Sequence, residues 1–195
     1  MDREQHIQML TTEAVDLLKE MVAIPSPSFH EDAVCSHISN WLTSKGVEHE
    51  RVGNNIIAEH IVDPSKPTLM LCAHIDTVDP CEGYTFDPYK PENCPTDMIQ
   101  GLGSNDDGAS VVSMIAAFRF FSHTIGSGAG VKNLTLVLTC EEERSGKGGM
   151  TGLWDKQLSQ IDYAIVGEPT GMKAATSERG LLVIDATAHG ISGHA

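Results

Sequence analysis

Apolar positions recur along this chain with two different periods, and the alternation between them outlines its architecture. Residues 12–23 place Ala14, Val15, Leu18, Met21 and Val22 on one helical face, which stops before Pro25 and Pro27. A second helix is predicted over 31–45, with Val34, Ile38, Trp41 and Leu42 on one side and Gly46 as its stop. Residues 68–73 (Thr-Leu-Met-Leu-Cys-Ala) are a short continuous apolar run, the pattern of a strand buried on both faces. A loop rich in Pro, Asp and Tyr follows over 79–100. A glycine-bounded turn, 101–108, then leads into a helix over 108–122 with Val111, Val112, Ile115 and Ala116 inside. Residues 126–130 (Gly-Ser-Gly-Ala-Gly) form a connector. Two more buried strands are predicted at 134–140 and 163–167, with a helix near 150–158 between them.

Helices alternating with apolar strands define an α/β fold with a mixed, largely parallel sheet flanked by helices. From Leu181 to Ala188 the period changes to strict alternation, with Leu182, Ile184, Ala186 and Ala188 on one side. That is the pattern of a half-solvated strand. It divides the chain into a first unit over 1–177 and the start of a second over 178–195.

Composition removes several function classes. The 195 residues carry a formal net charge of −14, which argues against a nucleic-acid partner because phosphates require Lys and Arg. The five cysteines are odd in number and contain no C-x-x-C pair, so reduced thiols are expected rather than a disulfide framework or a thiolate zinc site. Met1 to His6 lacks the apolar region of a signal peptide, and no apolar run approaches the length of a membrane span. A cytoplasmic protein with no membrane partner is expected.

The candidate chemistry gathers at the ends of the three apolar strands. The first delivers His74-Ile75-Asp76, the second Glu141-Glu142-Glu143, and the third Gly167-Glu168-Pro169. In open α/β sheets the ligand crevice lies beyond the carboxyl ends of the strands, so these groups should face one place. Asp106, in the turn before the 108–122 helix, joins them from the side. Each motif alone has a plain reading: a surface His-x-Asp, a solvated glutamate run, a Gly-Glu-Pro turn, a helix N-cap at Asp106-Asp107. Their coincidence at neighbouring strand and helix ends points to a metal site. One imidazole with several carboxylates and no cysteine suits hydrolytic rather than structural zinc.

These motifs, taken together, resemble the acetylornithine deacetylase, succinyl-diaminopimelate desuccinylase and glutamate carboxypeptidase family of di-zinc amidohydrolases. Ala73-His74-Ile75-Asp76-Thr77-Val78 is similar to its His-x-Asp signature and Gly103 to Gly108 to its bridging-aspartate turn. Cys140 to Gly146 resembles the catalytic-glutamate element, and Val166 to Thr170 the later metal-glutamate element. His189 to Ala195 is similar to the Gly-x-x-Gly-His stretch of the lid domain. The resemblance implies a zinc-peptidase-like catalytic domain, with residues 178–195 opening an α+β lid that mediates dimerisation.

Carried over residue by residue, the resemblance implies that Asp106 bridges two Zn²⁺ ions, for which Co²⁺ can substitute. His74 and Glu168 complete one metal and Glu143 serves the other. Glu142 is the general base and acid, Asp76 orients His74, and His194 helps stabilise the oxyanion. The peptide between Asp106 and Asp107 is expected to be cis. The implied reaction removes an N-acyl group from a small amino acid. N2-acetylornithine in arginine biosynthesis comes first, since the 103–108 turn and Ser145 to Gly149 look most like a divergent branch acting on acylated ornithine or citrulline. Succinyl-ornithine, acetyl-citrulline, succinyl-diaminopimelate and a dipeptide are the alternative substrates. A homodimer is implied for the complete enzyme. Family members continue well past residue 195, so the alternative of another class is a metal-binding fragment without activity. For residues 1–195 alone the expectation is at most one tightly held zinc, negligible turnover and an exposed apolar sheet edge.

Overall fold

The computed structural model describes residues 2–90, 94–95, 97–124, 132–158, 160–177, 179–180, 182, 184, 186–187 and 189–190. Helices α1 (Arg3–Val22) and α2 (Asp32–Ser44) precede a hairpin of β1 (Glu50–Val52) and β2 (Asn55–His60). Strand β3 (Thr68–His74), helix α3 (Gly108–Thr124), strand β4 (Asn133–Thr139), helix α4 (Met150–Gln157) and strand β5 (Tyr163–Val166) follow. The sheet order is β1-β2-β4-β3-β5. The β4-β3-β5 portion is parallel, with His74 opposite Thr139 and Cys72 opposite Val166. The β1-β2 and β2-β4 pairs are antiparallel. The mixed α/β class is therefore as expected, but its antiparallel half is an addition to the sequence reading.

Strand β3 shows why its apolar run is unbroken. Leu71 and Ala73 face a core built with Leu17, Leu18 and Met21 of α1, Ile38 and Leu42 of α2, and Val111 and Ile115 of α3. Met70 and Cys72 point the other way, to Val137, Ile57 and, from the α4 side, Leu153 and Leu158. A strand covered on both faces needs an apolar residue at every position. The first face is also tied by charge. Glu13 of α1 binds Lys45 at 2.7 Å and Arg119 of α3 at 2.6 Å, and both cations lie over the Trp41 ring.

Two differences from the sequence reading have physical causes. Helix α1 starts at Arg3 rather than near residue 12, because Asp2 and Gln5 form a reciprocal capping box that holds its first turns. Residues 3–9 are largely exposed and so carry no apolar face to read. Strand β5 is not buried: it is the sheet edge, with Tyr163, Ile165 and Val166 each about half exposed or more. A continuous apolar run records the capacity to be covered on both faces, and the exposed edge expected for this chain is what stands there.

The expected strand at 181–188 lies partly outside the described residues, and Leu182, Ile184, Ala186 and Thr187, which are described, are in no strand. The 126–130 connector and most of the proposed second unit likewise fall outside them. Among the described residues, no helix is long and apolar enough to cross a membrane.

Candidate metal centre

Parallel pairing brings the carboxyl ends of β3, β4 and β5 to the same side of the sheet, and the start of α3 closes on them. His74 is the last residue of β3 and is buried, whereas Asp106 and Glu168 are exposed at its rim. One ligand atom from each of His74, Asp106 and Glu168 lies within 4.8 Å of the other two. His74 Nε2 is 3.1 Å from Asp106 Oδ1 and 3.8 Å from Glu142 Oε2. The sequence-predicted groups therefore converge: His74, Asp106, Glu168 and Glu142 share one open mouth.

The imidazole is oriented from behind. Nδ1 lies 2.9 Å from the main-chain carbonyl of Asp76, while the nearer Asp76 carboxylate oxygen is 3.5 Å away. The carbonyl of Asp76 thus faces the ring directly, and its carboxylate, 3.5 Å from the same nitrogen, adds charge. A donor hydrogen on Nδ1 leaves Nε2 as the atom directed at the mouth. The main chain of His74 is fixed as well, since its N–H donates to Asp107 Oδ2 at 3.1 Å.

The Asp76 carboxylate has another task. It is fully enclosed and accepts the Ser28 hydroxyl at 2.7 Å, the Glu142 N–H at 3.0 Å and the Glu143 N–H at 3.1 Å. These bonds, with the paired His74, hold its carboxyl below the ordinary value against the opposing effect of burial. The peptide between Asp106 and Asp107 is cis.

The three glutamates after β4 separate cleanly. Glu141, with φ of 59°, turns its carboxylate away from the mouth to accept the Gly148 N–H at 2.8 Å. Glu142 and Glu143 open a single 3₁₀ turn, Glu142–Arg144, on the site side. Glu143 lies outside the trio of His74, Asp106 and Glu168. Burial and the charges of Asp106 and Glu142 push its carboxyl up, opposed by His74. The position expected for His194 lies outside the described residues.

The electrostatics fit a cation. Burial raises the Glu168 carboxyl to about 7, with Asp107, Glu142 and Asp106 adding to the rise. Burial likewise raises Asp107 to about 6. Burial alone would lower His74, but Asp76, Asp107 and Glu142 outweigh it and raise the imidazole to about 10. Surrounding carboxylates thus retain protons that a divalent ion would displace. Nearby thiols stand apart from this donor set: burial pushes Cys72 and Cys140 up to about 12, and neither belongs to the cluster of His74, Asp106 and Glu168. One imidazole with two carboxylates is a donor set suited to a divalent cation.

Reading the sequence alone did not single out Ser28, Glu31, Asn55 or Asp107. Asp107 was visible only as an N-cap candidate, and its carbonyl does accept the Val111 N–H at 3.0 Å. Ser28 sits in an extended Pro-Ser-Pro-Ser segment with no period, tied to β3's exit by mutual bonds of Ser28 and Ser26 with Thr77.

Residues 70–180 match the model of the peptidase family M20/M25/M40. The chain is 30% identical over 200 residues to a succinyl-diaminopimelate desuccinylase of Wolbachia pipientis subsp. Culex pipiens, covering 92% of this chain and 48% of that protein. Its fold is similar to that of the dipeptidase Dug1p from Saccharomyces cerevisiae, with a TM-score of 0.64 and 23% identity over 83% of this chain and 39% of that one. It is also similar to the YXEP protein of Bacillus subtilis, described as a dinuclear metal-binding peptidase, with a TM-score of 0.58 and 18% identity over 82% of this chain and 43% of that one. The chain spans about half the length of the curated relatives it matches.

Proposed function

The chain belongs to the peptidase family M20/M25/M40, and on that premise we propose that it carries the metal centre of an amidohydrolase that removes an N-acyl group from an amino acid. The observation that carries this reading is the gathering of His74, Asp106 and Glu168 within 4.8 Å, with the Glu142 carboxylate at the same imidazole.

In this reading His74, Asp106 and Glu168 would hold one divalent ion, and Asp106 and Glu143 would serve a second. Zinc is the favoured ion, with cobalt as its substitute. When bound, such ions polarise the amide carbonyl and lower the pKa of a shared water. Glu142, half exposed and fixed by its own N–H on Asp76, takes the proton of the attacking water and delivers it to the departing nitrogen. Asp76 keeps the His74 ring and the Glu142–Glu143 turn in one register.

N2-acetylornithine, and with it arginine biosynthesis, is the first substrate reading, on the resemblance of the 103–108 turn and of Ser145 to Gly149. Succinyl-diaminopimelate is the second, favoured by the 30% identity to a desuccinylase. A small N-acylated amino acid, a cytoplasmic location and a homodimer of the longer protein belong to the same proposal.

Metal analysis of the purified chain, followed by a panel of acetylated and succinylated amino acids on a version extended to its relatives' length, tests it. Stoichiometric zinc with release of acetate or succinate is expected. A chain that binds no divalent metal would exclude the proposal, and turnover of succinyl-diaminopimelate alone would replace the first substrate by the second.

A further inference from the structure

Four successive main-chain N–H groups after β4 are each held by a side-chain oxygen from elsewhere in the chain. Cys140 N–H donates to Asn55 Oδ1 at 3.0 Å, and Glu141 N–H donates to Glu31 Oε1 at 3.1 Å. Glu142 and Glu143 N–H donate to the two oxygens of Asp76 at 3.0 and 3.1 Å. A segment leaving a strand normally satisfies such donors with main chain or water. Here three side chains take that place at the backbone that carries Glu142 and Glu143.

Glu31 is the unexpected member. It is entirely buried, and among the described residues no Lys or Arg pairs with it. Burying a carboxylate is unfavourable unless hydrogen bonds compensate it. Its Oε1 accepts the Phe29 N–H at 2.7 Å besides the Glu141 N–H, and Oε2 accepts Asn54 Nδ2 at 3.0 Å. The two residues whose N–H groups share Oε1 both lie at positive φ, 73° at Phe29 and 59° at Glu141. The neighbouring Asn55 joins the same brace, donating to the carbonyls of Val52 and Gly148 at 2.9 and 2.8 Å.

We propose that Glu31 is a positioning residue of the metal centre: its carboxylate fixes the left-handed Glu141, and through it the turn that presents Glu142 and Glu143. The inference rests on the metal-centre reading above. A carboxylate serves here because all three neighbours are donors and an ionised carboxylate only accepts. An amide at position 31 would turn its NH₂ toward one of them. Asn54 cannot easily turn to receive it, because its Oδ1 already accepts Arg51 Nη2 at 2.8 Å. An Asn54→Asp change would supply the missing acceptor.

The test uses Glu31→Gln, Glu31→Ala and the double variant Glu31→Gln/Asn54→Asp, with hydrogen exchange read on the 195-residue chain and cobalt binding on a version extended to its relatives' length. Amide hydrogen exchange with chelator present should show lost protection at Glu141, Glu142 and Glu143 in Glu31→Gln, regained in the double variant. Cobalt(II) titration followed by visible absorption should show the binding that depends on Glu143 weakened ~10–100-fold, as for other groups that orient metal ligands, and restored by Asn54→Asp. Loss of protection confined to residues 29–35, with unaltered cobalt affinity and spectrum, would overturn the proposal and leave Glu31 a helix-start residue. So would failure of the double variant to restore both signals. If the parent chain bound no cobalt, the metal-centre reading would fall, whereas the exchange result would still decide whether Glu31 fixes the turn.

Discussion

Asp76 accepts the Glu142 N–H at 3.0 Å while its own carbonyl faces His74 Nδ1 at 2.9 Å, so one residue fixes both a metal-type ligand and the candidate general base. Asp76→Asn keeps the shape and the carbonyl but turns an NH₂ toward one of its three donors. A buried donor facing a donor leaves both unsatisfied. The variant should fold with reduced stability and bind zinc ~10–100-fold more weakly. Isothermal titration checks this, and unchanged affinity would limit Asp76 to a packing role.

Asp106 stands at the His74 imidazole and within reach of Glu168. If it bridges two ions, Asp106→Ala removes a ligand from both together. Metal content of the purified variant should fall to background, while Leu18→Thr or similar core changes should lower stability without that loss. Retention of zinc at the parent level would remove Asp106 from the ligand set.

Much of this site was legible because its ligands terminate apolar strands. His74 ends such a run and Glu142, Glu143 and Glu168 follow others, and parallel pairing then brings them to one end of the sheet, while Glu141 turns away to Gly148. The supporting residues were not legible for the opposite reason. Asn55 is buried at the start of β2, a position that an apolar pattern assigns to hydrophobic side chains, and only its bonds to Val52, Cys140 and Gly148 explain it. That polar start also concealed the β1-β2 hairpin. Glu31 reads in sequence as an acidic helix-start residue, and its partners lie 23 and 110 positions away. No local period encodes such distances.

The pH dependence of the metal-free chain follows from three raised groups. Glu168 and Asp107 hold protons to about 7 and about 6, against ordinary values of 4.5 and 3.8. Each therefore takes stability away as pH rises from its ordinary value to its raised one, from 4.5 to about 7 for Glu168 and from 3.8 to about 6 for Asp107, and contributes no further change above that. His74, raised from 6.5 to about 10, contributes stability fully below 6.5 and loses it as pH rises to about 10. Across this window the folded chain binds more protons than the unfolded one, and stability falls with rising pH. Asp76 and Glu13, both held below their ordinary values, act in the opposite sense but only on acidification. Urea melts with chelator present should therefore give a lower midpoint at pH 9 than at pH 5.5. Metal affinity should change the other way, because binding displaces protons from His74 and Glu168. A flat stability profile would show that these groups do not sense one another in solution.

Glu142 touches the reacting side of the site but lies outside the trio that shares one metal position. Glu142→Gln should retain zinc at the parent level. In a form of the protein with measurable turnover, kcat should fall by about 10²–10⁴-fold, the usual weight of general acid-base transfer. Glu143→Gln should instead lower metal occupancy. An exchange of these two phenotypes would exchange the two roles.

Gly167 couples the sheet edge to the centre of the site. A Cβ there would collide with Ser110 Cβ and stand 2.9 Å from Ser110 Oγ, and Ser110 acts on the Asp107 carboxyl, holding it down against burial. Asp107 in turn holds the His74 N–H, and Glu168 follows Gly167 directly. One added methyl group therefore pushes on two sides of the cluster through rigid backbone, since Gly167 is itself bonded to the Cys72 carbonyl at 2.8 Å. Overpacking of this kind costs about 1–3 kcal/mol. Gly167→Ala should lose roughly that stability in urea melts and bind zinc at least about tenfold more weakly, the lower end for displaced supporting groups. Ser110→Gly removes the opposing Cβ at a helix cost of about 1 kcal/mol. Combined with Gly167→Ala it should destabilise less than the sum of the two single changes. Simple additivity in that double-mutant cycle would mean that β5 relaxes away from α3 without disturbing Asp107.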